Sequence, residues 1–292
     1  MTQQAVGHED FDVSLGSGRL RVRRWGAADA PAAVCVPGLS ANLCGFDRLA
    51  ERLAGDTLQL VAIDPRGRGR SEATPAGTYG WRNHARDVLG VADAVGARSF
   101  AIIGQSSGAA IAMTCAQLAP SRIEQLVLVD LAGSPDERAV VPVVASVSRL
   151  GAVYPSAQAA IALLKQIGII PDWDEYWDRY FQYELHDVSG GVAASSDRGA
   201  VLEDLGYGNA MYRSGPEAPV HALWDAVTVP TLVLRARREI LPGFGFILPA
   251  AEAERFAAAV PSARVAEIDA NHYTITTHDD SIAAIAGFLR TS

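Results

Sequence analysis

Short runs of apolar, often β-branched residues alternate along this chain with longer stretches whose apolar positions recur at helical spacing. The first two runs, 11–15 and 19–25, flank Gly16-Ser17-Gly18 and predict an antiparallel pair joined by a tight turn. Further strands are predicted at 32–36, 58–64, 99–104, 123–130, 231–237 and 264–269. These later runs are apolar almost throughout rather than alternately, as strands buried on both faces of a parallel sheet require. Helical patterns fall at 42–54, 81–96, 107–118, 250–259 and 279–290, with Pro120 and Pro261 just past two helix ends. The alternation predicts an α/β fold, a mostly parallel central sheet of about eight strands with helices on both faces.

The rhythm breaks between residues 133 and 228, a stretch helical by pattern that holds nearly half of the aromatic residues. The organisation expected is a core from 1–132 and 229–292 with a helical cap inserted at 133–228. Trp173, Tyr176, Trp177, Tyr180 and Phe181 fall on one helical stripe. The first reading of that stripe is packing of the insertion against the core, and contact with a substrate is the alternative.

Composition narrows the function classes. The chain has 292 residues and is 49% hydrophobic, enough for a sizeable core. Its net charge of −8 disfavours nucleic acid as a partner, because binding phosphates needs clustered positive charge. Cys35, Cys44 and Cys115 are widely spaced and form no metal-ligand pattern, and Cys35 and Cys115 read as buried, reduced thiols. The start, MTQQAVGHEDFD, is polar and acidic, unlike a signal peptide, and the most apolar stretch, 139–155, is interrupted by Pro142 and Arg149. A cytoplasmic location without membrane contact is the expectation. Oligomeric state is not written in the sequence.

The chemistry centres on Gly104-Gln105-Ser106-Ser107-Gly108, directly after the predicted strand 99–104 and before an Ala-rich helix. A serine on so sharp a strand-to-helix turn has a strained backbone, and the residues two before and two after must be tiny. The turn lifts the hydroxyl over the helix N-terminus, where developing negative charge is favoured. Ser107 lacks flanking glycines at the same offsets.

Here the chain resembles the α/β-hydrolase family over nearly its whole length. Asp64-Pro65-Arg66-Gly67-Arg68-Gly69-Arg70-Ser71 is similar to a turn that many members carry, where Asp64 and Arg66 brace loops near the site. Val36-Pro37-Gly38-Leu39 resembles the family's His-Gly turn, with Pro37 where His is commoner. The resemblance implies that the backbone N–H groups of Leu39 and Ser107 form an oxyanion hole, such donors being worth about 3 kcal/mol each. It also implies the chain order serine, acid, histidine. Of six histidines only His272 and His278 follow the last core strand. His272 matches the family position of the base, and His278 reads as a cap of the final helix. His84 reads as a surface or packing residue.

The acid has two candidates. Asp130 ends the run 123–130, a rigid mount beside the elbow and an alternative acid position in the family. Glu239 follows the run 231–237 at the commoner position, but Arg235, Arg237 and Arg238 offer it other partners, and Pro242 with the insertion at 243–248 departs from the family pattern. Asp130 is preferred, with Glu239 the alternative. The activity expected is hydrolysis of a mostly apolar carboxylic ester or lactone through a serine acyl-enzyme, without metal or organic cofactor. C–C bond hydrolysis of diketone-type substrates is an alternative, although Tyr273 to Thr276 do not resemble that group. A small-molecule receptor derived from a hydrolase is another. An aspartate-nucleophile dehalogenase or epoxide hydrolase is disfavoured, because position 106 is serine.

Overall fold

The computed structural model describes residues 7–213 and 218–290. The first six residues of the polar amino terminus and residues 214–217 of the expected insertion lie outside them. The strands are β1 (His8–Leu15), β2 (Gly18–Trp25), β3 (Ala32–Val36), β4 (Gln59–Ile63), β5 (Phe100–Gln105), β6 (Ile123–Val129), β7 (Val153–Tyr154), β8 (Leu185–Val188), β9 (Gly191–Ala194), β10 (Thr231–Ala236) and β11 (Ala263–Ile268). The α-helices are α1 (Asp47–Leu53), α2 (Trp81–Ala94), α3 (Ser107–Leu118), α4 (Val140–Ser148), α5 (Ala157–Ile167), α6 (Glu175–Glu184), α7 (Arg198–Met211), α8 (Ala250–Ala259) and α9 (Asp279–Leu289).

Eight strands form one sheet in the order β1-β2-β4-β3-β5-β6-β10-β11. The β1–β2 and β2–β4 pairs are antiparallel, and every pair from β4 to β11 is parallel. The apolar runs are explained by what covers them. On β5, Phe100 and Ile102 face the layer that holds Trp81, Ala85 and Val88 of α2 and Phe256 of α8. Ala101 and Ile103 face the layer that holds Leu49 of α1 and Ile285 and Phe288 of α9. Successive residues point to opposite faces, so a sheet sandwiched between helices needs apolar side chains at every position.

The sheet order also locates the crevice. After β3 the chain moves to β4 on one side, then crosses back to β5 on the other. The loops leaving β3 and β5 therefore diverge, and the space between their carboxyl ends is where open α/β sheets bind ligands.

All eight strands of this sheet lie outside residues 133–228. That segment contributes α4 to α7 and a three-stranded antiparallel sheet, β7-β9-β8, which helical periodicity did not suggest. Its short strands carry turn chemistry at Gly190-Gly191, where φ is 91° and 144°, conformations suited to glycine. The aromatic stripe on α6 packs as a cluster with Ile161 and Leu164 of α5, and Trp173 stacks on Phe181 at 5.3 Å. Among the described residues no helix is long and apolar enough to cross a membrane.

The Asp64 turn ties these parts together. Asp64 is fully buried, and its carboxylate accepts hydrogen bonds from the N–H groups of Leu43 and Arg70 and from the Tyr183 hydroxyl of α6. Arg66 forms a two-pronged pair with Asp87 of α2, both bonds 2.7 Å. Burial pushes the Asp64 carboxyl up to about 6, from an ordinary 3.8. Between those values the folded chain holds a proton that the unfolded chain has released. The stabilising contribution is thus complete below the unfolded value, and roughly 3 kcal/mol is lost as pH rises through the folded one. The Asp64 contribution should make Tm fall as pH rises between about pH 4 and pH 7, and Asp64→Asn should remove that contribution. An unaltered slope would assign that fall to other groups.

Candidate active site

Ser106 sits between β5 and α3 with φ 54° and ψ −125°, one of two non-glycine residues among those described with positive φ. Both flanking glycines are forced. A Cβ on Gly104 would lie 2.2 Å from the Gly108 carbonyl oxygen, and one on Gly108 would lie 2.1 Å from that of Val36. The Ser106 N–H donates to the Val129 carbonyl at 2.9 Å, which fastens the elbow to β6.

The other positive-φ residue is Asp130, φ 53°, immediately after β6. Its N–H donates to the Leu234 carbonyl at 2.7 Å, and its Oδ1 accepts from the Ala236 N–H at 2.8 Å. Two strained residues on neighbouring strand ends, each pinned by the adjacent strand, are an arrangement found at functional sites.

His272 lies between them, in the loop after β11. Its Nδ1 is 2.8 Å from Asp130 Oδ2, and its Nε2 is 3.1 Å from Ser106 Oγ. A carboxylate only accepts, so Nδ1 carries a proton, and in the neutral ring Nε2 is then the acceptor facing the hydroxyl. The imidazole is 6% exposed and Asp130 is 1% exposed, so water competes weakly for either contact.

Glu239 is not part of this cluster. Its carboxylate accepts from the N–H groups of Gly243 and Gly245, 2.6 and 3.2 Å away, and so organises the insertion after β10. His278 stands at the N-cap of α9, where Nδ1 accepts from the Asp280 N–H at 3.2 Å. His84 is buried on α2, with Nε2 2.8 Å from Asp204 Oδ2 of α7. Leu39 and Ser107, the expected backbone donors, both border the space beside Ser106. Ser107 opens α3, whose first N–H groups have no acceptor within the helix.

Sequence reasoning passed over Asn271. Its Oδ1 accepts from the N–H groups of Tyr273 and Thr274, both at 3.0 Å, and its Nδ2 donates to the Ile169 carbonyl at 2.8 Å. It shapes the loop that presents His272 and ties it to the segment after α5. An Asn before a turn is the recognisable signal, since its side chain mimics a backbone turn.

A cavity of about 140 Å³ borders Ser106 and His272 and is lined in part by Val143 and Ser146 of α4, Leu164 of α5, and Tyr176, Trp177, Tyr180 and Phe181 of α6. The aromatic stripe packs on α5, and Tyr176, Trp177, Tyr180 and Phe181 of it also line the cavity. Arg149 is the one Arg, Lys, Asp or Glu side chain lining it among the described residues, and it is paired at 2.5 Å with buried Glu184. A second lobe of about 60 Å³ lies on the Ser107 side, lined by Trp81, Leu131, Leu205, Tyr212 and Ile247. Ser106 and Leu39 border both lobes. Cys35, Cys44 and Cys115 are buried and unbridged, with burial pushing each thiol well above its ordinary range. Among the described residues no group of three His, Cys, Asp or Glu side chains could hold a metal ion.

The chain resembles a serine hydrolase-like protein of Danio rerio, 33% identical over 125 residues, 42% of this chain and 38% of that one. It also resembles an N-formylmaleamate deformylase of Pseudomonas putida, 34% identical over 119 residues, 41% of this chain and 44% of that one. These matches span less than half the length of either relative. The crystal structure of E-2-(acetamidomethylene)succinate hydrolase superposes with a TM-score of 0.84 at 22% identity, covering 98% of this chain and all of the other. The family model for the alpha/beta hydrolase fold matches residues 31–279. With that match spanning the six parallel strands from β3 to β11 in the sheet, the elbow and the His272 loop, the chain belongs to the α/β hydrolase fold family.

Proposed function

We propose that this protein is a serine hydrolase that cleaves a neutral carboxylic ester or lactone through an acyl-enzyme. The observation that carries the proposal is the continuous hydrogen-bonded chain from Ser106 Oγ through His272 to Asp130. In this reading Ser106 is the nucleophile, and His272 Nε2 takes its proton as the hydroxyl attacks the carbonyl carbon. Asp130 holds the ring and stabilises the imidazolium that forms, and the Leu39 and Ser107 N–H groups receive the oxyanion. His272 then returns the proton to the leaving oxygen, and the cycle repeats with water on the acyl-enzyme. Residues 133–228 act as a cap that roofs the site.

The cavity supports a small, largely apolar substrate. Its lining is mostly aliphatic and aromatic, and the Arg149 charge is already balanced by Glu184, so nothing in it calls for an anionic acyl group. A second reading follows from the N-formylmaleamate deformylase relative: the same machinery would release an amide if the scissile bond joined a small acyl group to an amide nitrogen. The test is a panel of p-nitrophenyl esters, lactones and N-acyl amides of increasing acyl size, assayed with a Ser106→Ala control. Multiple turnovers on short neutral esters are expected, falling as the acyl chain outgrows the cavity. Preference for the amides would favour the second reading. A single turnover per molecule would point to a receptor, and activity indifferent to the control would remove the mechanism.

A further inference from the structure

A second cluster of buried charges, Arg68, Asp204 and His84, lies beside the Leu39 loop. Arg68, from the glycine-flanked turn after β4, is 1% exposed and spends its planar guanidinium on three acceptors. Nε donates to the Leu39 carbonyl at 3.0 Å, Nη1 to the Arg66 carbonyl at 2.9 Å, and Nη2 to Asp204 Oδ2 at 2.6 Å. Asp204, 5% exposed, belongs to α7 of the inserted segment. Its other oxygen accepts from the Gly80 N–H at 2.6 Å, at the start of α2. Burial works against its charge, but the His84 hydrogen bond and the charges of His84 and Arg68 hold its carboxyl below the ordinary range. Nothing about the Ser106–His272–Asp130 chain requires this second cluster.

Its geometry has a direction. The Leu39 carbonyl belongs to the residue whose N–H is the expected oxyanion donor, and Gly38 before it packs against Ser106, where an added Cβ would be 3.2 Å from the serine Cβ. Gripping that carbonyl fixes the peptide after Leu39 and limits rotation of the whole loop beside the nucleophile. A guanidinium reaches three separated acceptors from three nitrogens of one rigid plane, whereas the three donors of an ammonium radiate from a single nitrogen. The grip is anchored in α7, which meets the turn closely. The Asp197 N–H donates to the Gly67 carbonyl at 2.8 Å, and a Cβ on Gly67 would lie 2.8 Å from that of Ala200. Glu203 of the same helix accepts from the N–H groups of Gly77 and Tyr79.

We propose that Arg68 and Asp204 are positioning residues that align the Leu39 oxyanion donor through its carbonyl and make that alignment depend on α7 being docked. The proposal rests on the serine-hydrolase reading. It assigns the inserted segment a part in transition-state stabilisation in addition to roofing the cavity. A donor held by a buried network needs no reorganisation when charge develops, and a small misplacement of such a group costs up to about 10²-fold in rate.

The test measures Asp204→Asn and Arg68→Lys in the full chain. Active sites are first counted by burst titration with a p-nitrophenyl ester. Turnover per titrated site should fall by about tenfold to a hundredfold in both variants, while KM changes by less than about threefold. Affinity for phenylboronic acid, which forms a tetrahedral adduct on the serine, should fall in parallel with kcat/KM. A merely structural pair would lower Tm and the fraction of active molecules but leave turnover per site and boronate affinity as in the wild type, and that result overturns the proposal. So does a loss confined to KM. If Asp204→Asn does not yield folded protein, Arg68→Lys, which keeps the charge facing Asp204, decides alone. Failure of the underlying reading looks different: the wild type itself would then neither bind the boronate nor lose activity in Ser106→Ala.

Discussion

Replacing Asp130 with Asn should lower turnover by about 10⁴-fold while leaving the fold intact. The amide keeps the size of the carboxyl group and one oxygen for the Ala236 N–H, so the strained mount after β6 survives. What changes is the group facing His272 Nδ1. An amide nitrogen there is a donor, which favours the tautomer with its proton on Nε2, the atom that must accept from Ser106. The negative charge that stabilises the imidazolium is lost as well. Glu239→Gln should be mild by comparison, because Glu239 serves the Gly243 and Gly245 N–H groups and makes no contact with His272. Parallel kinetics of the two variants, with Tm as a control for folding, decide the matter. A dead Glu239→Gln beside an active Asp130→Asn would move the acid to the loop after β10.

Ser106→Ala should remove at least about a thousandfold of activity and abolish labelling by a fluorophosphonate probe. Alanine is the variant of choice because the elbow already accommodates a Cβ at φ 54°, so the loss reports the hydroxyl and not the turn. The residual activity should remain above that of water alone, since backbone donors and the cavity persist. Labelling at Ser107 in the variant would show that the neighbouring hydroxyl can substitute. Its position at the first turn of α3, facing the smaller lobe, argues against that outcome.

Much of the site was legible because its chemistry depends on local backbone geometry. The pentapeptide Gly104 to Gly108 announces itself since close approach of Gly104 to the Gly108 carbonyl, and of Gly108 to that of Val36, leaves no room for side chains. Both His272 and His278 follow the last strand; the family resemblance pointed to His272, and the helix start marked His278 as a cap. The acid was not decided by such signals, because Asp130 and Glu239 both follow strand ends, and strand ends look alike in sequence. The difference is one of direction: Asp130 adopts positive φ and turns its carboxylate towards His272, whereas Glu239 turns into its own loop.

His84 shows the same limit from the other side. A lone histidine on a helix reads as packing, and its buried partner Asp204 lies 120 residues away on α7. The strands β7 to β9 escaped notice because runs of two to four residues are too short for a period to show.

By itself, then, the sequence determined the layered α/β architecture and the turn that carries Ser106, since apolar periodicity and a glycine-flanked strand-to-helix turn are local patterns, and the resemblance to a known family pointed to His272. Only the tertiary structure decided which carboxylate meets His272, which residues line the cavity, and how Arg68 reaches both Leu39 and Asp204. Those contacts join segments distant in sequence, and their geometry is fixed by the packing of the sheet and the inserted helices, which no local pattern encodes.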